Sequence, residues 1–205
     1  MEERIQKTME ALQRNKIKPY YAESKEEMLE IVRSLIKDDK LITAGGSMTL
    51  KESGVTEMLM NDYKGIYIDR SEGKTPDEVE AIMRKAFVSD TFFASSNAVT
   101  ETGELYNVDG KGNRVSAMTF GPKQVILVVG KNKIVQDYAE AIMRVEKIAA
   151  PMNTVRLNCD TPCAKTGLCG HCRSEGRICC TYVRMGQQRE PDRIKVIIVN
   201  ENLGY

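Results

Sequence analysis

The 205-residue sequence predicts an α/β protein, a sheet flanked by helices in three layers. Two observations carry that expectation. Segments with apolar residues three and four apart alternate with short apolar runs rich in β-branched and aromatic residues. The alternation resumes at the end of the chain, where Ile194–Val199 reads as a strand that returns to the sheet.

Taken in order, Glu2–Asn15 predicts a helix with Ile5, Met9 and Leu12 on one face, and Lys18–Ala22 a short strand. Ser24 followed by Glu27 is a capping box, opening a helix to about Lys37 with Met28, Ile31, Val32, Leu35 and Ile36 inward. The strand expected at Lys40–Ala44 runs directly into Gly45, Gly46 and Ser47, with Thr49 and Glu52 as the cap of a following helix. Backbone amides at such a turn, unshielded at the two glycines, suit a carboxylate or phosphate. Glycines at strand–helix turns also serve packing. Gly65–Asp69 is the next expected strand, and Thr75-Pro76-Asp77-Glu78 a helix start whose stripe (Val79, Ile82, Met83, Ala86 and Phe87) should face the core. Strands at Phe92–Ala94 and Val125–Val129 precede a long helix capped by Asn132, carrying Ile134 to Ile148 on one face and ended by Pro151.

Between those last two strands lies a run dense in hydrogen-bonding groups: Ser95, Ser96, Asn97, Thr100, Glu101, Gly103, Asn107, Asp109, Gly110, Gly112, Asn113 and Arg114. Leu105–Val108 between its turns reads as a short strand. A polar loop leaving the end of a buried strand suits a ligand mouth. The competing reading is an ordinary pair of hairpins, which use the same residue types.

The passage SSNAVTETGELYNVDGKGNRVSAMTFGPKQVILVVG, with Gly45-Gly46-Ser47-Met48-Thr49-Leu50 and Glu52 upstream, resembles the lactate-utilisation (LUD) domain family over about Lys40–Ala150. The resemblance implies a fold like the CoA transferases and pentose-phosphate isomerases, in a metabolism of lactate or another 2-hydroxy acid. It places a small anionic ligand among Gly45, Gly46, Ser47, Asn97, Glu101, Asn107, Asp109, Gly110, Asn113 and Arg114. Arg114 would pair with a carboxylate or phosphate, and Asp109 and Asn107 would hold hydroxyls. Glu101 is the acidic residue placed for a CoA-transferase nucleophile, and no nucleophile–base pair is legible.

All six cysteines fall between Cys159 and Cys180, which argues for a local device over a disulfide framework. Thiolates suit zinc or an iron–sulfur centre, and Lys165, Arg173 and Arg177 would offset their charge. The family resemblance selects Cys163, Cys169, Cys172 and Cys179 as ligands and leaves Cys159 and Cys180 as extras. An iron–sulfur cluster is the first expectation, with zinc as the alternative and reduced thiols as the plain one. His171 reads as a neighbour of that centre.

Length fits a single domain, residues 1–205, with 159–180 as a cysteine-rich insertion before the last strand. Thirty basic residues against 29 acidic ones leave a net charge of +1, which argues against a nucleic-acid footprint. No apolar run reaches the roughly 20 residues of a membrane-spanning helix, and the N-terminus lacks the apolar core of a signal peptide. A cytoplasmic location is the expectation. Two function classes stay open: a small-molecule site acting on 2-hydroxy acids, and a non-catalytic electron-transfer, redox-sensing or assembly subunit with redox partner proteins. A homo-oligomer is compatible with either.

Overall fold

In the computed structural model, which describes residues 1–205, six short apolar runs pair in parallel into one sheet. The chain order is α1 (Glu3–Arg14), β1 (Lys18–Ala22), α2 (Lys25–Leu35), β2 (Ile42–Ala44), α3 (Met48–Glu52), α4 (Val55–Asp62), β3 (Tyr67–Ile68) and α5 (Pro76–Lys85). It continues with β4 (Thr91–Ala94), β5 (Ala98–Thr100), β6 (Leu105–Asp109), α6 (Asn113–Thr119), β7 (Gln124–Gly130), β8 (Ile134–Val135), α7 (Tyr138–Arg144) and α8 (Ala150–Arg156). The chain closes with α9 (Pro162–Thr166), β9 (Thr181–Met185) and β10 (Ile194–Val199). The large sheet has the order β1-β10-β7-β4-β2-β3.

Alternation along the central strands builds the three layers. Phe92, Val125, Leu127, Val129, Val196 and Ile198 face one side, packed with Ile5 and Leu12 of α1 and Met118 of α6. Phe93, Ile126, Val128, Ile197 and Val199 face the other, against Met28 and Val32 of α2 and Leu50, Val55 and Leu59 of α3 and α4. Strands buried on both faces must be apolar throughout, which is why Val125–Val129 is an unbroken run. The three-layer α/β expectation holds.

The local chemistry works as the sequence suggests at two helix starts. Ser24 accepts from the Glu27 amide at 3.3 Å, and the Glu27 carboxylate reaches one residue further back, to the amide of Glu23 at 2.8 Å. Thr75 and Glu78 form a reciprocal capping box.

Elsewhere the structure corrects the expectation. Ser47, not Thr49, caps α3 by accepting from the Leu50 amide at 3.3 Å. The helix from Pro76 buries none of its own residues, because its main contacts are with the short turns Arg70–Glu72 and Ala86–Val88 rather than with a strand; of the expected stripe Ala86, just past its end, is buried and Phe87 lies exposed. The strand near Gly65–Asp69 shortens to Tyr67–Ile68.

The largest difference follows Asn132. No helix begins there: Ile134–Val135 is strand β8, and Asp137 caps α7 by accepting from the Glu140 amide at 2.9 Å. Nor does Pro151 end the helix. A π turn at Val145–Ala149 widens the spiral just before it, so the ring avoids the carbonyl it would strike in a regular α-helix, and α8 runs on to Arg156.

β8 belongs to a second sheet of order β8-β5-β6-β9, with β5–β6 and β6–β9 antiparallel and β5–β8 parallel. The sequence reading caught β6 and missed the other three strands. The cysteine segment therefore leads into β9 of this small sheet, and β10 comes one strand later.

Candidate functional site

A cavity of about 200 Å³ opens outside the carboxyl ends of β2 and β4, beside the turn that leaves β7. Parallel α/β sheets place ligand sites at that end, where loops rather than strand side chains line the opening. Gly46, Ser47 and Thr49 come from the β2–α3 turn, and Ser95, Ser96 and Asn97 from the end of β4. Asp109, Gly110, Asn113 and Arg114 come from the β6–α6 turn, and Lys133 from the short turn after β7. Arg70 and Arg156 close the rim with Tyr205.

The turn glycine has a geometric reason. The Arg70 guanidinium lies over the Gly46 backbone so closely that a Cβ there would stand 2.3 Å from its nitrogen. Any side chain at that position would push the arginine off the rim. Gly45 does not line the cavity; it sits beneath, against Arg114 and Phe92.

The polar run after β4 organises itself around Arg114. One guanidinium nitrogen donates to the Ser95 carbonyl at 3.0 Å and to Asn107 Oδ1 at 2.6 Å. The other donates to Asn97 Oδ1 at 3.2 Å and to the Val108 carbonyl at 2.9 Å. Asn107 is fully buried and also donates to Ser96 Oγ at 3.0 Å, while Asn97 Oδ1 accepts from the Val108 amide at 2.9 Å. Asp109 Oδ2 accepts the amides of Arg114 and Val115 at 3.0 and 3.2 Å, anchoring the start of α6.

These bonds change the roles expected of three residues. Arg114 faces the cavity, but its terminal nitrogens are engaged by the protein, so it serves first as a strut that holds the loop. Asn107 does not line the cavity at all and positions Arg114 and Asn97 from below. Asp109 holds a helix start. Glu101 lies elsewhere: its carboxylate pairs with Arg4 and Lys7 of α1, both at 2.8 Å, and ties that helix to the β5–β6 turn. A nucleophile at Glu101 is thereby set aside.

The sequence reading missed Lys133, Arg70, Arg144 and Arg156. Lys133 is 3 % exposed, and its ammonium or amine nitrogen donates to Thr49 Oγ1 at 2.7 Å and Ser95 Oγ at 3.1 Å. Neither partner is a carboxylate. Burial first, then the charges of Arg144 and Arg114, push its pKa down to about 7, with Glu52 opposing weakly. Arg144 donates to the Asn97 carbonyl at 2.7 Å and the Asn132 carbonyl at 3.1 Å, clamping the β4 and β7 loops together; burial lowers its pKa to about 10. Arg156 shares Asn153 and the Tyr205 hydroxyl. The signal that could have found Lys133 was its place just past the end of an apolar strand, the same place that marked Gly45–Ser47.

The cysteine segment packs against this site. The Cys180 amide donates to the Asp109 carbonyl at 3.0 Å, and Ile178 lines both the cationic cavity and a second one of about 20 Å³. Cys163, Cys169, Cys172 and Cys179 all line that second cavity, with His171 and Arg177 at its wall. Burial, with neighbouring Cys169 opposing a second negative charge, pushes the Cys179 thiol up to about 11. Ser174 and Arg177 favour the Cys172 thiolate and lower its pKa. The donor set of four soft thiols suits a metal, whereas as placed no three His, Cys, Asp or Glu side chains stand together as ligands. Cys159 and Cys180 lie outside the cavity, and no helix is long and apolar enough to cross a membrane.

Fold and site together define a class: an α/β protein with a parallel sheet and a cation-lined cavity at its carboxyl edge. The LUD domain family model matches residues 5–199, and the chain belongs to that family. A crystal structure of a DUF162 family protein from Deinococcus radiodurans is similar, with 14% sequence identity, a TM-score of 0.57 and 97% of each chain covered, which shows the shared fold. Among curated proteins, no sequence matches. Membership of the LUD family supports a role related to lactate utilisation.

Proposed function

We propose that the cavity binds a small organic anion, a 2-hydroxy or 2-oxo carboxylate of lactate metabolism. One observation carries the reading: Arg70, Lys133 and Arg156 line one small cavity beside Arg114, and the acidic residue lining it, Asp109, is engaged with backbone amides. Lys133 is buried without a carboxylate partner, and Arg70 and Arg156 stand exposed at the rim, so an anionic ligand would offset the cost of the buried charge and meet the two rim guanidiniums. Ser47 adds a hydroxyl that suits the oxygen on C2 of such an acid.

Titration calorimetry with L-lactate, D-lactate and pyruvate tests this. Arg70 is exposed over Gly46, so Arg70→Ala should weaken binding about tenfold, roughly 1.4 kcal/mol, without lowering Tm. Unchanged affinity in that variant, or no binding of any of the three acids, refutes the site. The four thiols support a second component of the reading, a metal centre (iron–sulfur, with zinc as the other arm of the test) held by Cys163, Cys169, Cys172 and Cys179. With the anion site empty of chemistry, that centre would make the protein an electron-transfer or redox-sensing subunit.

A further inference from the structure

We propose that Lys133 forms a Schiff base with a 2-oxo acid bound in the cationic cavity. The inference rests on the anion-site reading and adds to it a covalent step and a substrate class. Three observations carry it.

The first is the state of the amine. Lys133 is almost wholly buried and lines the cavity, yet its partners are hydroxyls, so no carboxylate holds its proton in place. Arg114 and Arg144 stand near enough to oppose a third positive charge. A desolvated lysine beside other cations is the arrangement that activates an amine as a nucleophile.

The second is hydrogen-bond direction. The Thr49 hydroxyl donates to the Leu203 carbonyl at 3.3 Å, and the Ser95 hydroxyl to the Ser96 carbonyl at 3.5 Å. Each hydroxyl has a carbonyl within reach for its own proton, and each oxygen accepts from Lys133. A neutral amine has two N–H bonds, and these two hydroxyls use both. The remaining tetrahedral position of Nζ has no protein partner, and in the neutral amine it carries the lone pair.

The third is the surrounding charge. Arg70 and Arg156 line the same cavity as the amine and offer a carboxylate an anchor there.

The step balances without an oxidant or reductant. The Nζ lone pair attacks C2, the C–O π bond opens to a carbinolamine, and the C2–O bond then breaks. Both amine hydrogens leave with that oxygen as water, and a C=N bond remains. A 2-hydroxy acid has no carbonyl and binds without reacting.

The test uses the intact protein with pyruvate and sodium borohydride, which reduces an imine to a stable secondary amine. The expected result is one adduct per chain by intact mass, mapped by peptide digestion to Lys133, suppressed by excess lactate and absent from Lys133→Met. Adducts confined to exposed lysines would overturn the proposal. Calorimetric binding of lactate and pyruvate with no adduct would overturn it and leave the anion site standing. Failure of both acids to bind, with no adduct, would overturn both. Mapping in the unaltered protein keeps the result decisive even if the Met variant folds poorly.

Discussion

At the scale of single residues, the site is a balance between groups that hold the loops and groups that face the ligand. Lys133 is the clearest case of the second kind. An ordinary lysine titrates near 10.5 and this one at about 7. Below pH 7 both folded and unfolded chains carry the proton, and the folded chain bears the full cost of burying the charge. Between pH 7 and 10.5 the unfolded chain binds a proton that the folded chain does not, so stability rises with pH across that window. Lys133→Met removes this titration and should stabilise the protein at pH 6, by on the order of 4 kcal/mol less the two lost hydrogen bonds of about 1 kcal/mol each. The gain should shrink toward pH 10. Urea unfolding at both pH values checks it, and an equal effect at both would show that the amine is not buried as a charge. Arg114 is of the first kind. Its nitrogens join Ser95, Asn97, Asn107 and Val108, so Arg114→Ala leaves buried acceptors without donors and should cost about 3–5 kcal/mol. A Tm unchanged in that variant would contradict the strut.

At the scale of elements, the docking of α1 shows which contacts matter. Gly103 sits at φ +80, with a would-be Cβ 2.4 Å from the Ala11 carbonyl carbon. The β5–β6 turn meets the helix backbone directly, and Asn15 seals the contact by donating to the Thr102 and Gly103 carbonyls at 3.1 and 2.8 Å. Gly103→Ala should therefore destabilise by about 2 kcal/mol or more, from backbone strain and from the helix being lifted. Glu101→Gln, which loosens ion pairs to the exposed Arg4 and Lys7, should cost under about 1 kcal/mol and leave ligand affinity unchanged. A larger effect from Glu101 than from Gly103 in thermal unfolding would reverse this ranking.

At the scale of the whole molecule, stability is unevenly distributed. Two buried clusters of 18 and 16 residues pack the faces of the large sheet, each buried Ile, Leu or Phe contributing about 1.5–3 kcal/mol. Between Cys159 and Cys180 only Thr161 and Cys163 are buried. On the proposed reading, metal coordination would supply the stabilisation that segment lacks. Anaerobic protein should carry iron or zinc, and chelation should expose residues 159–180 to limited proteolysis while the main unfolding transition persists. Metal-free anaerobic protein with four titratable thiols would remove the metal centre, and elemental analysis separates iron from zinc. Because Cys180 and Ile178 abut the cationic cavity, the same proteolysis series repeated with lactate reads whether the two cavities communicate.

What the sequence determined by itself is local or periodic. Unbroken apolar runs gave the central strands, because burial on both faces demands them. Ser24 and Thr75 marked helix starts, because capping is settled within four residues. The polar run from Ser95 to Arg114 marked the site, since such a density of donors and acceptors has to be satisfied somewhere. The tertiary structure decided how they are satisfied. Whether Arg114 meets a ligand or Asn107, and whether Asp109 meets a ligand hydroxyl or the α6 amides, depends on distances between segments that pattern does not encode. The same holds for Ile134–Val135, whose spacing fits a helix but which pairs with β5 because a sheet edge is there to receive it. Lys133 was hidden by that misreading. Its lowered pKa comes from burial among Thr49, Ser95, Arg114 and Arg144, residues brought together from four separate segments by the folded chain alone.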